Sequence, residues 1–500
     1  MKLKKCIAST LVGVMTASTL VGCGSGSDSA KSEGDYDQVT YAYVTFNNIP
    51  SEEDLDTVEE EINKITREKI GAEITLMPIG IAEYSQKVSL ALQGGEKIDL
   101  FESLGDFSNC VASDMAYDIS DLATEYAPES VELIGQDYLD ACRINGSLYG
   151  MPTYKPFALT PMIIYRSDIA EELGIDMSQV NNLDDVTAVL EQVEAAYPDM
   201  TPLAPTQTGD SGLSRMTPKL DYLGDGFESF AGVMLNDDMK VTDFYASDQF
   251  KSLCETARYW YQNDLIMKDA ATTTSAAAEL MASGNYFAYI ASYSYPEEST
   301  ANQLSAQTGG MPVGARTLQE SYVSTSDISG LTWMVASTTD VPEAAMKFLN
   351  LTYTDKDIIN LIVWGIEGRD YVLTDDNMAV YPDGEDSTTV PYTAGLSCGV
   401  VGNFFEMYGS TEDDLAWEQE QNENCAKSAA MGFVYDNSKV TTQYTAVNNV
   451  LSQYVPGLFC GSLDPDTAIP EFLKALEDAG YYEILQDKQD QLDAWVAENK

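Results

Sequence analysis

Five hundred residues, 44% of them apolar and 10% aromatic, exceed one small module and supply material for more than one hydrophobic core. Lys and Arg number 27 against 80 Asp and Glu, a formal net charge of -53, which repels phosphate backbones and argues against nucleic acid as a partner. Histidine is absent, which removes Ser-His-Asp and Cys-His pairs, histidine general bases and nearly every ordinary catalytic zinc site.

The chain opens with Lys2, Lys4 and Lys5 and continues as an apolar run from Cys6 to about Val21. A basic start before so short an apolar core reads as an export signal, not as a membrane span. The run ends Leu20-Val21-Gly22-Cys23 and gives way to Gly24-Ser25-Gly26-Ser27. This junction resembles the bacterial lipoprotein signal. The resemblance implies a signal peptide over residues 1–22, lipidation of Cys23, a flexible tether over 23–36 and anchorage at the outer face of the cytoplasmic membrane. After Cys23 there is no run of roughly 18 uncharged apolar residues, so a globular exported body is expected. Its six remaining cysteines, Cys110, Cys142, Cys254, Cys398, Cys425 and Cys460, are either buried thiols or disulfides, and their spacing fits no paired metal-binding motif.

Val39-Thr40-Tyr41-Ala42-Tyr43-Val44 is apolar and β-branched enough for a buried strand. Ser51, with Asp54 three residues on, predicts a capped helix whose inner face carries Leu55, Val58, Ile62 and Ile65. Acids at its start and Arg67 and Lys69 near its end complement the helix dipole, and Gly71 supplies a stop. A strand at Glu73–Leu76, a helix from about Ile81 to Leu92 closed by Gly94-Gly95, and a strand at Ile98–Phe101 follow. Strand, helix, strand, helix, strand is the pattern of a parallel sheet with helices on its faces, an α/β fold.

A second set begins after Gly150-Met151-Pro152, with a strand at Pro161–Tyr165 and helical stripes through Leu183–Val193 and Leu253–Leu265. Tyr286–Ile290 reads as a buried strand, and Pro342 stands near a helix start with Ala345, Phe348 and Leu349 facing inward. Thr374 to Thr389 reads as a β-hairpin with acidic turns; it lacks the complete ligand pattern of a calcium loop.

Leu148-Tyr149-Gly150-Met151-Pro152 followed by Met162-Ile163-Ile164-Tyr165-Arg166-Ser167-Asp168 is similar to the passage between lobes in extracellular solute-binding lipoproteins of ABC importers. Arg166-Ser167 stand where that family usually has Asn-Lys. Gly365-Ile366-Glu367-Gly368-Arg369-Asp370-Tyr371, together with Gly432–Asp436, Leu463-Asp464-Pro465 and Gln489–Asp493, resembles a large, carbohydrate-type subgroup of the family with its own C-terminal region. The resemblance implies a two-lobed periplasmic-binding-protein-like fold (type II) with the ligand cleft between lobes. Residues 37–155 and 326–395 are expected in the first lobe, and 156–325 and 396–500 in the second, the last stretch including the subgroup region. Crossings are expected near 153–162, 318–330 and 390–402. Function follows as capture of an extracellular solute by lobe closure and delivery to membrane permease subunits, by a monomer, with no catalysis, cofactor or metal.

Sugars present C–H faces and many hydroxyls, so a sugar site needs flat aromatic surfaces and directional polar groups. Candidates at strand ends and crossings are Tyr43, Asn47, Glu102, Tyr154, Lys155, Tyr293, Tyr295 and Asn403, each of which is alternatively an ordinary packing, capping or turn residue. Trp333 and Trp364 are the tryptophan platforms expected in the cleft; Trp260 is expected in a core, Trp417 on a helix surface and Trp495 docking the last helix. Glu367 and Arg369 either bond ligand hydroxyls or pair with each other. A neutral oligosaccharide is the expected solute, with a peptide, amino acid or uronate as the alternative. A glycoside hydrolase needs two carboxylates about 5 to 9.5 Å apart, and 80 acids make such a pair uninformative.

Overall fold

The first strand of the computed structural model, β1 (Asp37–Thr45), is the apolar β-branched run that the sequence marks as buried. The structure describes residues 36–499 apart from 46–47, 226–230, 309, 376–377, 387–388, 393–396 and 402–411, and the side chains of 306–307 and 412–415 are also left undescribed. Cys23, Asn47 and Asn403 therefore lie outside the described residues. Asp37–Lys500 form one compact unit.

The two main sheets use β1 and eight further strands: β2 (Ala72–Gly80), β3 (Leu100–Glu102), β4 (Met151–Pro152), β5 (Thr160–Arg166), β6 (Thr201–Leu203), β7 (Tyr286–Tyr293), β8 (Val313–Thr317) and β9 (Thr332–Val335). The first sheet runs β2-β1-β3-β9-β4, with β2, β1 and β3 parallel and β9 antiparallel to both of its neighbours. The second runs β8-β5-β7-β6. Each sheet has its own core. One draws on Val39 to Ala158 and Val323 to Val400, the other on Ile163 to Leu318 and Ala430 to Leu492. Strand β5 is buried on both faces: Ile163 enters the second core, while Met162 and Ile164 join a smaller cluster with Tyr289 and Val313. A fully buried strand needs no polar alternation, and the run Met162-Ile163-Ile164 has none.

Helix α1 (Glu52–Lys69) begins at Ser51, whose hydroxyl oxygen accepts the Asp54 amide at 3.2 Å and donates to the Asp54 carboxylate at 2.6 Å. Val58 and Ile62 are its buried face, with Leu55 and Ile65 packed beside them. Asn63 docks it on β2: its Nδ2 donates to the Ile74 oxygen at 3.0 Å and its Oδ1 accepts the Ile74 amide at 2.6 Å. Helix α2 (Tyr84–Gly94) stops at Gly95, which takes the left-handed conformation at φ 74°.

The second core is closed by α3 (Leu183–Ala196), α4 (Asp248–Gln262) and three C-terminal helices, whereas α5 (Pro342–Thr354) and α6 (Lys356–Trp364) belong to the first. Helix α7 (Glu412–Asn424) precedes the C-terminal set α8 (Thr441–Phe459), α9 (Pro465–Asp478) and α10 (Tyr481–Asn499). A hairpin forms at the start of the expected stretch, on either side of the first acidic segment, with Val372 opposite Val380 and Leu373 opposite Ala379. The six cysteines after Cys23 are free thiols. Burial pushes Cys110, Cys142, Cys254 and Cys460 up to about 12, which leaves them protonated and inert near neutral pH. Among the described residues no helix is long and apolar enough to cross a membrane.

Candidate functional site

Between β4 and β5 the chain leaves the first sheet for the second, and Tyr154 in this crossing pairs with the chain near Val400. The Tyr154 amide donates to Gly399 O and the Val401 amide to Tyr154 O, both at 2.8 Å. Asn422, near the end of α7, grips the same crossing: its Oδ1 accepts the Phe157 amide at 2.8 Å and the Ala158 amide at 3.4 Å, and its Nδ2 donates to Lys155 O at 2.8 Å. The return crossing is held by Ser324, which caps a short helix with Asp327, and by Tyr322–Val323 pairing in parallel with Ala426–Lys427.

Both crossings contribute to a cavity of about 790 Å³, within the usual range of about 300–1,000 Å³ for ligand sites. Phe157, Leu159 and Pro161 come from the first crossing, and Gln319, Glu320, Tyr322 and Asp327 from the return. The loop after β6 supplies Gln207, Thr208, Asp210, Ser214, Arg215 and Thr217. Helix α8 supplies Tyr444, Asn448, Leu451, Ser452, Val455, Pro456 and Phe459. Gly209 lets the loop meet this helix closely; at φ +78°, a Cβ on it would stand 2.7 Å from Pro456 Cβ.

The basic groups of the lining are already matched by carboxylates. Arg215 Nη1 sits 2.6 Å from Asp210 Oδ2, which also accepts the Ser214 hydroxyl at 2.6 Å. Lys219 Nζ lies 3.0 Å from Asp237. Lys155 does not line the cavity; half-buried as a residue, it directs its ammonium to Asp327 O at 3.4 Å. Burial lowers the Lys155 pKa, with Asp327 opposing, and burial raises the Asp327 carboxyl against the bonds from Ser324. Thr217 is 3% exposed, and its buried hydroxyl has no hydrogen-bond partner among the described residues. A buried hydroxyl without a partner is costly unless something in the cavity engages it. The walls therefore offer amides, hydroxyls and tyrosine faces, with no unpaired cation among the described lining residues.

None of the ten described residues singled out from the sequence lines this cavity. Trp333 is fully buried, stacked on Tyr41 with ring centroids 4.6 Å apart at 12°, and its Nε1 donates to Cys398 O at 3.1 Å. Trp364 is 1% exposed, beside Tyr371. Neither presents an open platform, because each occupies an all-buried segment where its bulk fills the first core. Tyr43 and Glu102 are also buried. Both carboxyl oxygens of Glu102 are buried, and burial holds that carboxyl well above the usual range, with the Val44 amide opposing. Tyr293 ends β7 instead of following it, with its hydroxyl 2.8 Å from that of Tyr289; Tyr295 is half-buried in the next turn. Arg369 pairs with Asp370 at 2.7 Å and with Asp54 of α1 at 3.2 Å, not with the exposed Glu367. Trp260 is in the second core, Trp417 is exposed on α7, and Trp495 meets Phe433 edge-on. The lining missed from sequence carries one legible signal, a stripe on α8 that mixes Tyr444, Asn448 and Ser452 with Leu451, Val455 and Phe459.

Residues 61–363 match the family of bacterial extracellular solute-binding proteins, and residues 429–497 match a domain of unknown function. A carbohydrate ABC transporter substrate-binding protein of Streptococcus pneumoniae serotype 4 is 23% identical over 498 residues, 97% of each chain. The N-glycan transport solute binding protein (NgtS) of S. pneumoniae shares the fold, with a TM-score of 0.79 at 21% identity over 93% of this chain and all of that one. Its complexes with Man1GlcNAc and Man5GlcNAc superpose with TM-scores of 0.73 and 0.70. An extracellular solute-binding protein from Bifidobacterium longum subsp. infantis gives 0.67 at 15% identity, covering 93% of this chain and 99% of its own.

Proposed function

The chain belongs to the bacterial extracellular solute-binding protein family, and from that premise we propose that it captures a neutral oligosaccharide in the 790 Å³ cavity and hands it to an ABC importer. The observation that carries the ligand class is the state of the lining charges. Arg215 and Lys219 are held by Asp210 and Asp237, so a carboxylate or phosphate ligand meets no available cation there and faces Glu320 and Asp327 instead. A sugar asks for what is present: hydroxyl and amide groups, the unpartnered Thr217 Oγ1, and the rings of Tyr222, Tyr322 and Tyr444. Of the twelve residues singled out from the sequence, Lys155 bears on the cavity through Asp327, whose backbone oxygen accepts its ammonium. The carbohydrate relative and the glycan complexes of the pneumococcal protein support the same ligand class.

Delivery requires that bound and empty protein differ, which means that solute must favour one arrangement of the crossings over another. The paired segments at Tyr154 and Val400 and the Asn422 contacts are where such a change is absorbed. The basic start, apolar run and Leu20-Val21-Gly22-Cys23 junction support attachment through Cys23 at the outer face of the cytoplasmic membrane. The test is a thermal-shift screen of the detergent-solubilised full-length protein against Man1GlcNAc, Man5GlcNAc, other neutral oligosaccharides, oligouronates and short peptides. Stabilisation by neutral glycans is expected, and stabilisation by uronates or peptides alone contradicts the proposal.

A further inference from the structure

We propose that the C-terminal region, residues 429–497, is the ligand-reading wall of the cavity, and that Lys488 and Asp225 position it by fixing Tyr444. This rests on the cavity being the solute site. Seven residues along one side of α8 line the cavity: Tyr444, Asn448, Leu451, Ser452, Val455, Pro456 and Phe459. Helices α9 and α10 back this helix, and their Phe472, Leu476, Tyr481 and Leu492 are buried in the second core with Val447 and Leu458 of α8. A helix packed in this way presents a fixed surface, and its alternation of Tyr, Asn and Ser with aliphatic residues suits successive hydroxyls and C–H faces.

Asp225 joins three parts of the molecule. Its Oδ1 accepts the Tyr444 hydroxyl at 2.5 Å, its Oδ2 takes Lys488 Nζ at 2.8 Å, and its backbone oxygen accepts the Ser326 hydroxyl of the return crossing at 2.7 Å. Lys488 is wholly buried on α10; its ammonium also donates to Ala231 O at 2.7 Å and Gly232 O at 2.9 Å, and lies 4.7 Å from the Tyr435 ring centroid. A buried lysine satisfied on so many sides fixes the carboxylate opposite it, and that carboxylate fixes the orientation of a tyrosine in the cavity wall. The return crossing is stitched to the start of the same region, since the Gly432 amide donates to Thr325 Oγ1 at 2.9 Å and the Ala429 amide to Asp237 Oδ1 at 2.9 Å. Asp237 in turn accepts the hydroxyl of Tyr322, another lining residue, at 2.6 Å.

The experiment compares affinities for a short and a long neutral glycan, Man1GlcNAc and Man5GlcNAc or the equivalent pair that the screen identifies. It uses full-length wild type, Tyr444→Phe, Asn448→Ala, Lys488→Met and, from the loop after β6, Gln207→Ala. Tyr444→Phe and Asn448→Ala are expected to change the long-to-short affinity ratio by about 2- to 10-fold, Asn448→Ala with little change in melting temperature and Tyr444→Phe with some loss of it, because the buried Asp225 carboxylate loses a donor. Lys488→Met is expected to lower the melting temperature and to shift the ratio in the same direction as Tyr444→Phe. If Gln207→Ala weakens both glycans while the α8 variants keep the wild-type ratio, the cavity stands and the reading wall is overturned. If Lys488→Met melts earlier with an unchanged ratio, its positioning role is overturned. If wild type binds glycan and no cavity variant alters binding, the cavity itself is the wrong site and the inference falls with it.

Discussion

Asn422 accepts the backbone amide of Phe157 through its side-chain oxygen at 2.8 Å, so a residue 265 positions later in the chain holds the segment that leads from the first sheet to the second. The side chain is 2% exposed and serves two amides and one carbonyl of residues 155–158. Asn422→Ala leaves these groups without their partner, and each buried polar group so orphaned costs about 1–3 kcal/mol. A denaturation midpoint well below wild type is expected. Asn422→Asp, which still accepts from Phe157 but cannot donate to Lys155 O, should fall between; equal midpoints for all three proteins contradict the clamp.

Trp333 and Trp364 should matter for folding and not for recognition. Trp→Ala in a packed core costs about 3–5 kcal/mol, and Trp333 also loses its stack on Tyr41 and its bond to Cys398 O. Trp333→Phe keeps an aromatic ring and is the milder probe. Lowered melting temperature with glycan affinity near wild type is expected. Affinity lost at unchanged stability restores the tryptophan to the binding surface.

Much of the fold was legible because burial writes itself into local sequence. The β1 run, the Ser51 cap, the Val58–Ile62 face, the Gly94-Gly95 stop and the strand that follows the first crossing all have signals within a few residues. The cavity lining was not legible in that way. Trp333 offers a flat aromatic face beside the return crossing, but such a ring fills cores as readily as clefts, and its neighbours Thr332, Met334 and Val335 are buried too. Tyr444 sits in a helix whose inner face looks like ordinary packing, and what makes it a wall is a loop more than 200 residues earlier. Nothing local relates Lys488 to Asp225, so their pairing could only be seen in the folded chain.

Acid should stabilise one buried site. Burial pushes the Asp221 carboxyl up to about 6 and Asp327 adds to the rise, while the bonds from Ser428 and the Leu223 amide, and the Lys488 charge, oppose it. The folded protein therefore holds this proton between about pH 4 and 6, where the unfolded chain has released it. The contribution to stability is full at the acid end and falls as pH rises through that window, by at most about 1.4 kcal/mol per pH unit. Asp221→Asn abolishes the loss, so the stability of the variant relative to wild type should rise from pH 4 to 6 and then level. A difference that does not vary with pH contradicts the buried, proton-retaining carboxyl.

Membrane attachment is tested by Cys23→Ser. The wild-type chain should partition with membranes and incorporate labelled fatty acid, whereas the variant should be released or remain unprocessed. Equal membrane retention and labelling in both remove Cys23 as the anchor.

Ligand class is tested most directly by isothermal titration of the full-length protein at about 50 and about 500 mM salt, a range over which the Debye length falls several-fold. Neutral oligosaccharide, oligouronate and peptide are titrated in parallel, with wild type beside Gln207→Ala. A neutral glycan should bind with an affinity that salt leaves unchanged and that Gln207→Ala weakens. Binding of the oligouronate or peptide, tighter at low or high salt and with no heat from any neutral glycan, contradicts the proposal.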